Sequence, residues 1–232
     1  MQGQLFTQDF LRFGIRETPP YQALGDEAFK AFRSSLQGIY AGLSADTTLN
    51  EAQTEQLVIE RVLVELGWGQ DYLPQVNLSG KRREDVPDIL LFAHAQGRDK
   101  ALAEKRDDQR YKHGLAILEA KRWLRPLDRG DPGEPADPSA PSSQMLRYLS
   151  RADLASDRAV KWGVLTNGGT WRLYWQDARS RAEEFLELDL AALLGVAGVP
   201  AEPDGLDAVD TDHGLRLFFL LFNRAEIGRA HV

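Results

Sequence analysis

The sequence predicts an α/β fold, with a mixed sheet of four or five strands flanked by helices. Three observations carry this expectation. Residues 49–68, LNEAQTEQLVIERVLVELGW, repeat apolar side chains at helical spacing (Val58, Val62 and Leu66 with Ile59 and Leu63) and stop at Gly67. Short apolar or alternating runs follow at QVNLS (75–79), PDILLF (87–92) and LAILEAK (115–121), and these read as strands. AVKWGVLTNGGTWRLYWQ (159–176) reads as a hairpin, two alternating strands around Asn167-Gly168, residue types that tolerate the positive φ of a tight turn. From residue 50 the expected order is helix, three strands, helix, two strands.

The remaining elements follow from the same periodicities. Residues 1–48 read as a helical lead-in, with Phe29, Phe32, Leu36 and Tyr40 at helical spacing. Residues 101–112 are polar and suit a helical or loose excursion between strands. Residues 128–143, DRGDPGEPADPSAPSS, are rich in proline, glycine and serine and are expected to form a mobile loop rather than a domain boundary, because regular structure resumes at once. SQMLRYLSRADL (143–154) reads as a helix capped by its serine. EFLELDL (184–190) can add a strand, and GLRLFFLLFNRA (214–225) reads as a final apolar helix. The whole of 1–232 is expected to be one domain, a core over 49–176 with a C-terminal extension over 177–232.

Composition narrows the class. With 232 residues, the chain is long enough for one sizeable core. It has no cysteine, which excludes disulfides and thiolate metal sites and fits a reducing, cytoplasmic setting. The N-terminus lacks the basic and apolar regions of a signal peptide, and no apolar run approaches the roughly 20 residues of a membrane helix. No GxxxxGK[ST] run supports nucleotide hydrolysis. The net charge of −7 counts against a protein that grips nucleic acid by itself. Charge is uneven, however. Lys105 to Arg129 holds eight Lys/Arg against four Asp/Glu, a net of 8 − 4 = +4, and Lys81, Arg82 and Arg83 form a second basic cluster. Both flank the residues singled out next, where phosphates would lie; a solvated loop is the alternative for the first.

Asp88 opens one apolar run, and Glu119 and Lys121 close another. Adjacent strands would bring these ends together. Side chains alternate along a strand, so Glu119 and Lys121 point to one side and Ala120 to the other. Two carboxylates and an ammonium are what phosphodiester hydrolysis needs: hard oxygen ligands for Mg²⁺, and a cation to orient water or steady developing charge. Solvated charge at strand ends is the alternative, and the order and context of the three residues weigh against it, since a carboxylate beside an apolar strand is costly without a cation.

Other candidates surround this set. Gln144 and Tyr148 lie four apart on the next helix and so share a face, bordering Met145, Leu146 and Leu149. Glu55 shares the helical stripe of Val58 and Val62 and faces the body of the domain, whereas Glu60 is expected on the opposite, wetter side. An inward Glu55 is either a metal or lysine partner or a group favouring the helix dipole. His94 and His113 each stand alone in polar sequence. The hairpin aromatics Trp162, Trp171, Tyr174 and Trp175 could stack bases, though a half-buried hairpin explains most of them as core.

TEQLVIERVLVELGW, PDILLF, LAILEAKRW, QMLRY and GVLTNGGTWRLY together resemble the amino-terminal nuclease domain of Type I restriction subunits. They are equally similar to the nuclease region of fused Type IIG restriction–modification enzymes. The similarity covers roughly 54–176, and EFLELDLAALL and LRLFFLLF look like the stretch that follows in the fused enzymes. The resemblance implies a restriction-endonuclease-like, PD-(D/E)xK sheet with extra terminal helices. It implies Mg²⁺ (or Mn²⁺) ligands at Asp88, Glu119 and the Ala120 carbonyl, with Glu55 a further candidate. It also implies a catalytic Lys121 and a Gln-x-x-x-Tyr motif at Gln144 and Tyr148. The implied activity is hydrolysis of foreign DNA to 5′-phosphate and 3′-hydroxyl ends, alongside methyltransferase or specificity partners. The chain departs from the pattern in the length of 128–143 and in having no following methyltransferase or helicase motif, so it reads as a fragment or a stand-alone member. The rival expectation is a non-catalytic module that keeps the fold to bind DNA or a partner subunit.

Overall fold

The apolar runs become strands buried on both faces. A computed structural model of the chain describes residues 3–79, 85–130, 140–200 and 210–229. Six strands, β1 (Tyr72–Pro74), β2 (Ile89–Leu91), β3 (Ala116–Ala120), β4 (Trp162–Thr166), β5 (Thr170–Trp175) and β6 (Phe185–Asp189), form one sheet in chain order. Only β3 and β4 pair in parallel; every other neighbour is antiparallel. The sheet is thus mixed and flanked by helices, as expected, but has six strands rather than four or five. The addition is β6, from EFLELDL, and the first strand lies before QVNLS rather than on it. Gln75 takes φ +49, a left-handed conformation that ends extended pairing just as the alternating run begins.

Helices cover both faces. Before the sheet lie α1 (Gln8–Arg12), a 3₁₀ turn at Gly14–Glu17, α2 (Pro19–Ala23) and α3 (Asp26–Tyr40). Then come α4 (Glu51–Thr54), a π-turn over Glu55–Ile59 and α5 (Glu60–Glu65), which make one continuous helical run. The polar excursion after β2 is α6 (Ala95–Ala103), α7 (Asp107–Arg110) and a 3₁₀ turn at Tyr111–His113. The parallel β3–β4 crossover contains α8 (Pro141–Ala155), and α9 (Leu190–Leu193), α10 (Thr211–Phe222) and α11 (Arg224–Arg229) follow β6. Among the described residues no helix is long and apolar enough to cross a membrane.

The pleat sorts the core into two layers. Ile89, Leu118, Val164 and Leu173 face α3, α5 and α10, where Phe29, Leu36, Val62 and Phe218 are buried. Leu90, Ile117, Leu165 and Tyr174 face α8, with Met145, Leu149 and Tyr111. The lead-in helices are therefore core elements: Phe32 meets Phe219 of α10 edge-on, with ring centroids 4.9 Å apart.

Three local expectations are corrected. Helix α8 starts at Pro141, two residues before Ser143, and its N-cap is Ala140 without a side-chain cap. Proline serves at that position because its missing N–H would have no helical partner there. The last helix begins earlier, at Thr211, with Asp210 accepting from the Asp212 N–H, and it breaks at Asn223. In the hairpin only Gly168 has positive φ; Asn167 acts through its side chain, whose Oδ1 accepts from Gly169 N and Thr170 N.

Candidate functional site

Register brings the charged strand ends together. Ile89 pairs with Leu118, and one further step along the antiparallel ladder sets Asp88 across from Glu119. By alternation Asp88 follows Leu90 and Glu119 follows Ile117, so both carboxylates project from the α8 face. The Ala120 N–H donates to Asp88 Oδ2 over 2.7 Å, tying the two ends. Lys121 is also on this face, and its Nζ donates to Glu119 Oε1 over 2.7 Å. Its backbone N–H donates to Thr166 O, so β4 holds it from the other side.

The three side chains line a cleft of about 580 Å³ at the sheet end, between the start of α4 and the start of α8. Gln144 and Tyr148 line it too, and Gln144 Nε2 donates to the Tyr148 hydroxyl over 2.9 Å. The start of α8 is tied back to the segment after β3, where Ser142 N–H donates to Leu127 O over 2.9 Å. Residues 131–139 of that loop, and the basic Lys81–Arg83 cluster, lie outside the described residues.

The electrostatics are those of a crowded acidic pair. Glu119 and Lys121 are only 2% and 4% exposed. Burial, then the Asp88 charge, pushes the Glu119 carboxyl up to about 8 despite Lys121. Burial likewise pushes Asp88 up to about 6, against the opposing pull of the Ala120 N–H and Lys121. For Lys121 burial acts to lower the pKa, but the Glu119, Glu51 and Asp88 carboxylates outweigh it and hold the ammonium above its ordinary value. At neutral pH, therefore, the cation persists and Glu119 tends to hold a proton, as a buried carboxylate does without enough positive charge beside it. Glu119 Oε2 is buried with no hydrogen-bond partner among the described residues.

A divalent cation fits this donor set. It would neutralise the facing carboxylates and bind the orphaned Oε2, with Asp88 and Glu119 as hard oxygen ligands and water completing the shell; Ala120, the third expected ligand, is buried and does not line the cleft. Two side-chain ligands are what the protein offers: among the described residues no group of three His, Asp or Glu side chains is gathered to hold an ion.

Glu55 and Glu60 come out differently from the helical-wheel expectation. The Glu60 N–H donates to Glu55 O, an i→i+5 bond of the π-turn, so Glu60 stacks on Glu55 instead of facing away. Glu60 Oε1 accepts from the Tyr72 hydroxyl. Glu55 is half-buried off the cleft wall, and burial, then Asp88, Glu60 and Glu51, pushes it up to about 7. Glu51, one turn earlier, is the acid that enters the cleft, with Oε2 3.9 Å from Lys121 Nζ. Helical spacing picked out Glu55; Glu51 stood outside the apolar stripe and gave no signal.

The other candidates are accounted for elsewhere. His94 caps α6 through Nδ1, which accepts from Gly97 N, and His113 Nε2 meets Glu104 Oε1 at 2.9 Å. Trp162, Trp171 and Tyr174 are buried in the core. The +4 stretch is no single patch. Arg106, Arg110 and Lys112 pair with Asp108, Asp107 and Asp157, whereas Arg122 and Arg125 line the cleft. No protein-family model, no curated protein and no solved structure matches the chain.

Proposed function

We propose that this chain is a divalent-metal-dependent endodeoxyribonuclease of the PD-(D/E)xK type. The observation that carries the reading is the facing of Asp88 and Glu119 across one ladder step, with Lys121 buried against Glu119. A buried acidic pair is costly to maintain without a cation, and its chief chemical use is to hold one.

Asp88 and Glu119 would hold Mg²⁺ or Mn²⁺, which when bound supplies a Lewis acid and an acidified water. Lys121 stands where its ammonium can orient the attacking water and steady charge on the phosphate oxygens. The water oxygen bonds to phosphorus as the P–O3′ bond breaks; the water proton leaves to solvent, and the departing oxygen takes one up. The products are a 5′-phosphate and a 3′-hydroxyl. Gln144 and Tyr148 hold the DNA backbone at the mouth rather than the metal. Glu51 modulates Lys121 from the rim, and Glu55 adds negative charge behind Asp88.

The setting we propose is restriction of foreign DNA in the cytoplasm, with methyltransferase or specificity domains or subunits as partners. The chain's negative net charge suits target recognition by other surfaces. A non-catalytic DNA- or partner-binding module is the rival, and it has no chemical need for a buried lysine between carboxylates. End analysis tests the reaction: fragments made with Mg²⁺ or Mn²⁺ should be joined by DNA ligase without prior kinase treatment. Fragments that ligate only after phosphorylation would contradict the proposed bond cleavage.

A further inference from the structure

The five residues after Lys121, Arg122 to Pro126, form an unusually well-fixed turn. Trp123 N–H donates to Thr54 Oγ1 over 2.8 Å, and its indole N–H donates to Ser44 O over 2.9 Å. Leu124 sits at φ +53, a left-handed conformation that non-glycine residues keep only where their surroundings impose it. Its N–H donates to Asn167 O, and Asn167 Nδ2 donates to the carbonyl of Arg125 over 2.8 Å. The two turns interlock: a Cβ on Gly168 would come within 3.0 Å of Trp123, and one on Gly169 within 2.4 Å of Leu124. The β4–β5 turn thereby grips the segment that carries Arg125.

The gripped residue is a cation in the cleft. Arg125 is only 5% exposed, yet it lines the same cleft as Asp88, Glu119 and Lys121, with Arg122 beside it. A guanidinium is the side chain suited to a planar, two-pronged bond with phosphate. Its backbone is fixed before any ligand arrives, so little ordering would be needed on binding. We infer that Arg125 receives a phosphate of the DNA backbone and so seats the strand against the carboxylate pair. The inference rests on the DNA substrate of the proposed function, and it assigns Arg125 to binding rather than to metal or water.

Salt dependence of binding separates this role from a structural one, because each phosphate neutralised contributes about 0.9 to the slope of log K against log salt. A fluorescent 20-base-pair duplex is titrated with the whole chain in EDTA across salt concentrations, with thermal melts in the same buffers. Arg125→Ala should bind about tenfold more weakly, with the slope reduced by about one. Arg125→Lys keeps the charge and should keep the slope, while binding several-fold more weakly for want of the second prong. If Arg125→Ala does not fold, the lysine variant decides: wild-type affinity overturns the inference, and weaker binding at unchanged slope supports it. Wild-type affinity and slope in both variants would overturn it, as would a wild-type chain that binds no duplex at any salt. The nuclease reading is scored apart, by cleavage. A wild-type chain that cleaves while both variants bind normally loses only the role of Arg125. Arg125-dependent binding without cleavage under Mg²⁺ or Mn²⁺ keeps that role and removes the nuclease.

Discussion

Asp88 and Glu119 face each other across the β2–β3 ladder, one step beyond the Ile89–Leu118 pair, and Ala120 N–H holds Asp88 Oδ2 at 2.7 Å. Asn and Gln preserve the shape of each side chain and remove its charge. Asp88→Asn and Glu119→Gln are therefore expected to fold normally and to cleave DNA at least about a hundredfold more slowly, the equivalent of about 3 kcal/mol of barrier. Without metal their melting temperatures at pH 8 should equal or exceed wild type, since each relieves a buried repulsion. Plasmid cleavage and thermal melts check both halves.

The same pair sets a pH dependence. Burial raises Glu119 from 4.5 to about 8 and Asp88 from 3.8 to about 6. Raised acids bind protons more tightly when folded, so their contribution to stability is complete below about pH 4 and is lost as pH rises through 6 and 8. A divalent cation bound at the proposed site would replace those protons. The rise in melting temperature caused by Mg²⁺ should therefore be small at pH 6 and grow steadily to pH 9. Thermal melts with EDTA and with Mg²⁺ across that range measure it, and a constant difference would count against metal binding at this pair.

Gln144 and Tyr148 line the cleft and bond to each other, so Gln144→Ala removes a cleft-facing amide without touching the carboxylates. Cleavage should fall by about tenfold, the value of one lost hydrogen bond to charged phosphate. Metal affinity, read by calorimetry, should stay within about twofold. A loss of metal affinity would move Gln144 into the metal site.

Away from the cleft, Arg172 tests how the sheet is held. Its guanidinium, 3% exposed, donates two bonds to Asp128, at 2.7 and 2.9 Å, and others to Glu187. Arg172→Met leaves Glu187 buried without its cation and should cost about 3–5 kcal/mol. At about 2–4 °C per kcal/mol for a chain of this size, the melting temperature should fall by about 6–20 °C. Pairing it with Glu187→Leu should recover most of the loss, because no orphaned charge remains.

How much of this was readable in the residues follows from what each element depends on. Asp88, Glu119 and Lys121 were legible because charge at the end of an apolar run marks a strand end, and strand ends of one sheet converge. Gln144 and Tyr148 were legible because spacing of four fixes a shared face. The place of β1 was not legible, since its end is set by the backbone of Gln75 and not by alternation. The π-turn was also invisible: EQLVIERV carries an ordinary 3.6-residue pattern, and nothing in it marks the i→i+5 bond from Glu60 N–H to Glu55 O. Glu51 and Arg125 belong to the cleft through chain entry and turn geometry, which no periodicity records. Asn167 drew notice as a turn residue for its backbone freedom, whereas its importance lies in the three backbone groups its side chain bonds.

Metal-dependent hydrolysis of DNA at Asp88, Glu119 and Lys121 is measured by incubating supercoiled plasmid with the chain and Mg²⁺ or Mn²⁺, beside Lys121→Ala. Nicked and linear DNA are expected from the wild type, abolished by EDTA and formed at least about a hundredfold more slowly by the folded variant. Equal cleavage by wild type and Lys121→Ala, or intact plasmid from a folded wild-type chain with either metal, would contradict hydrolysis at these residues.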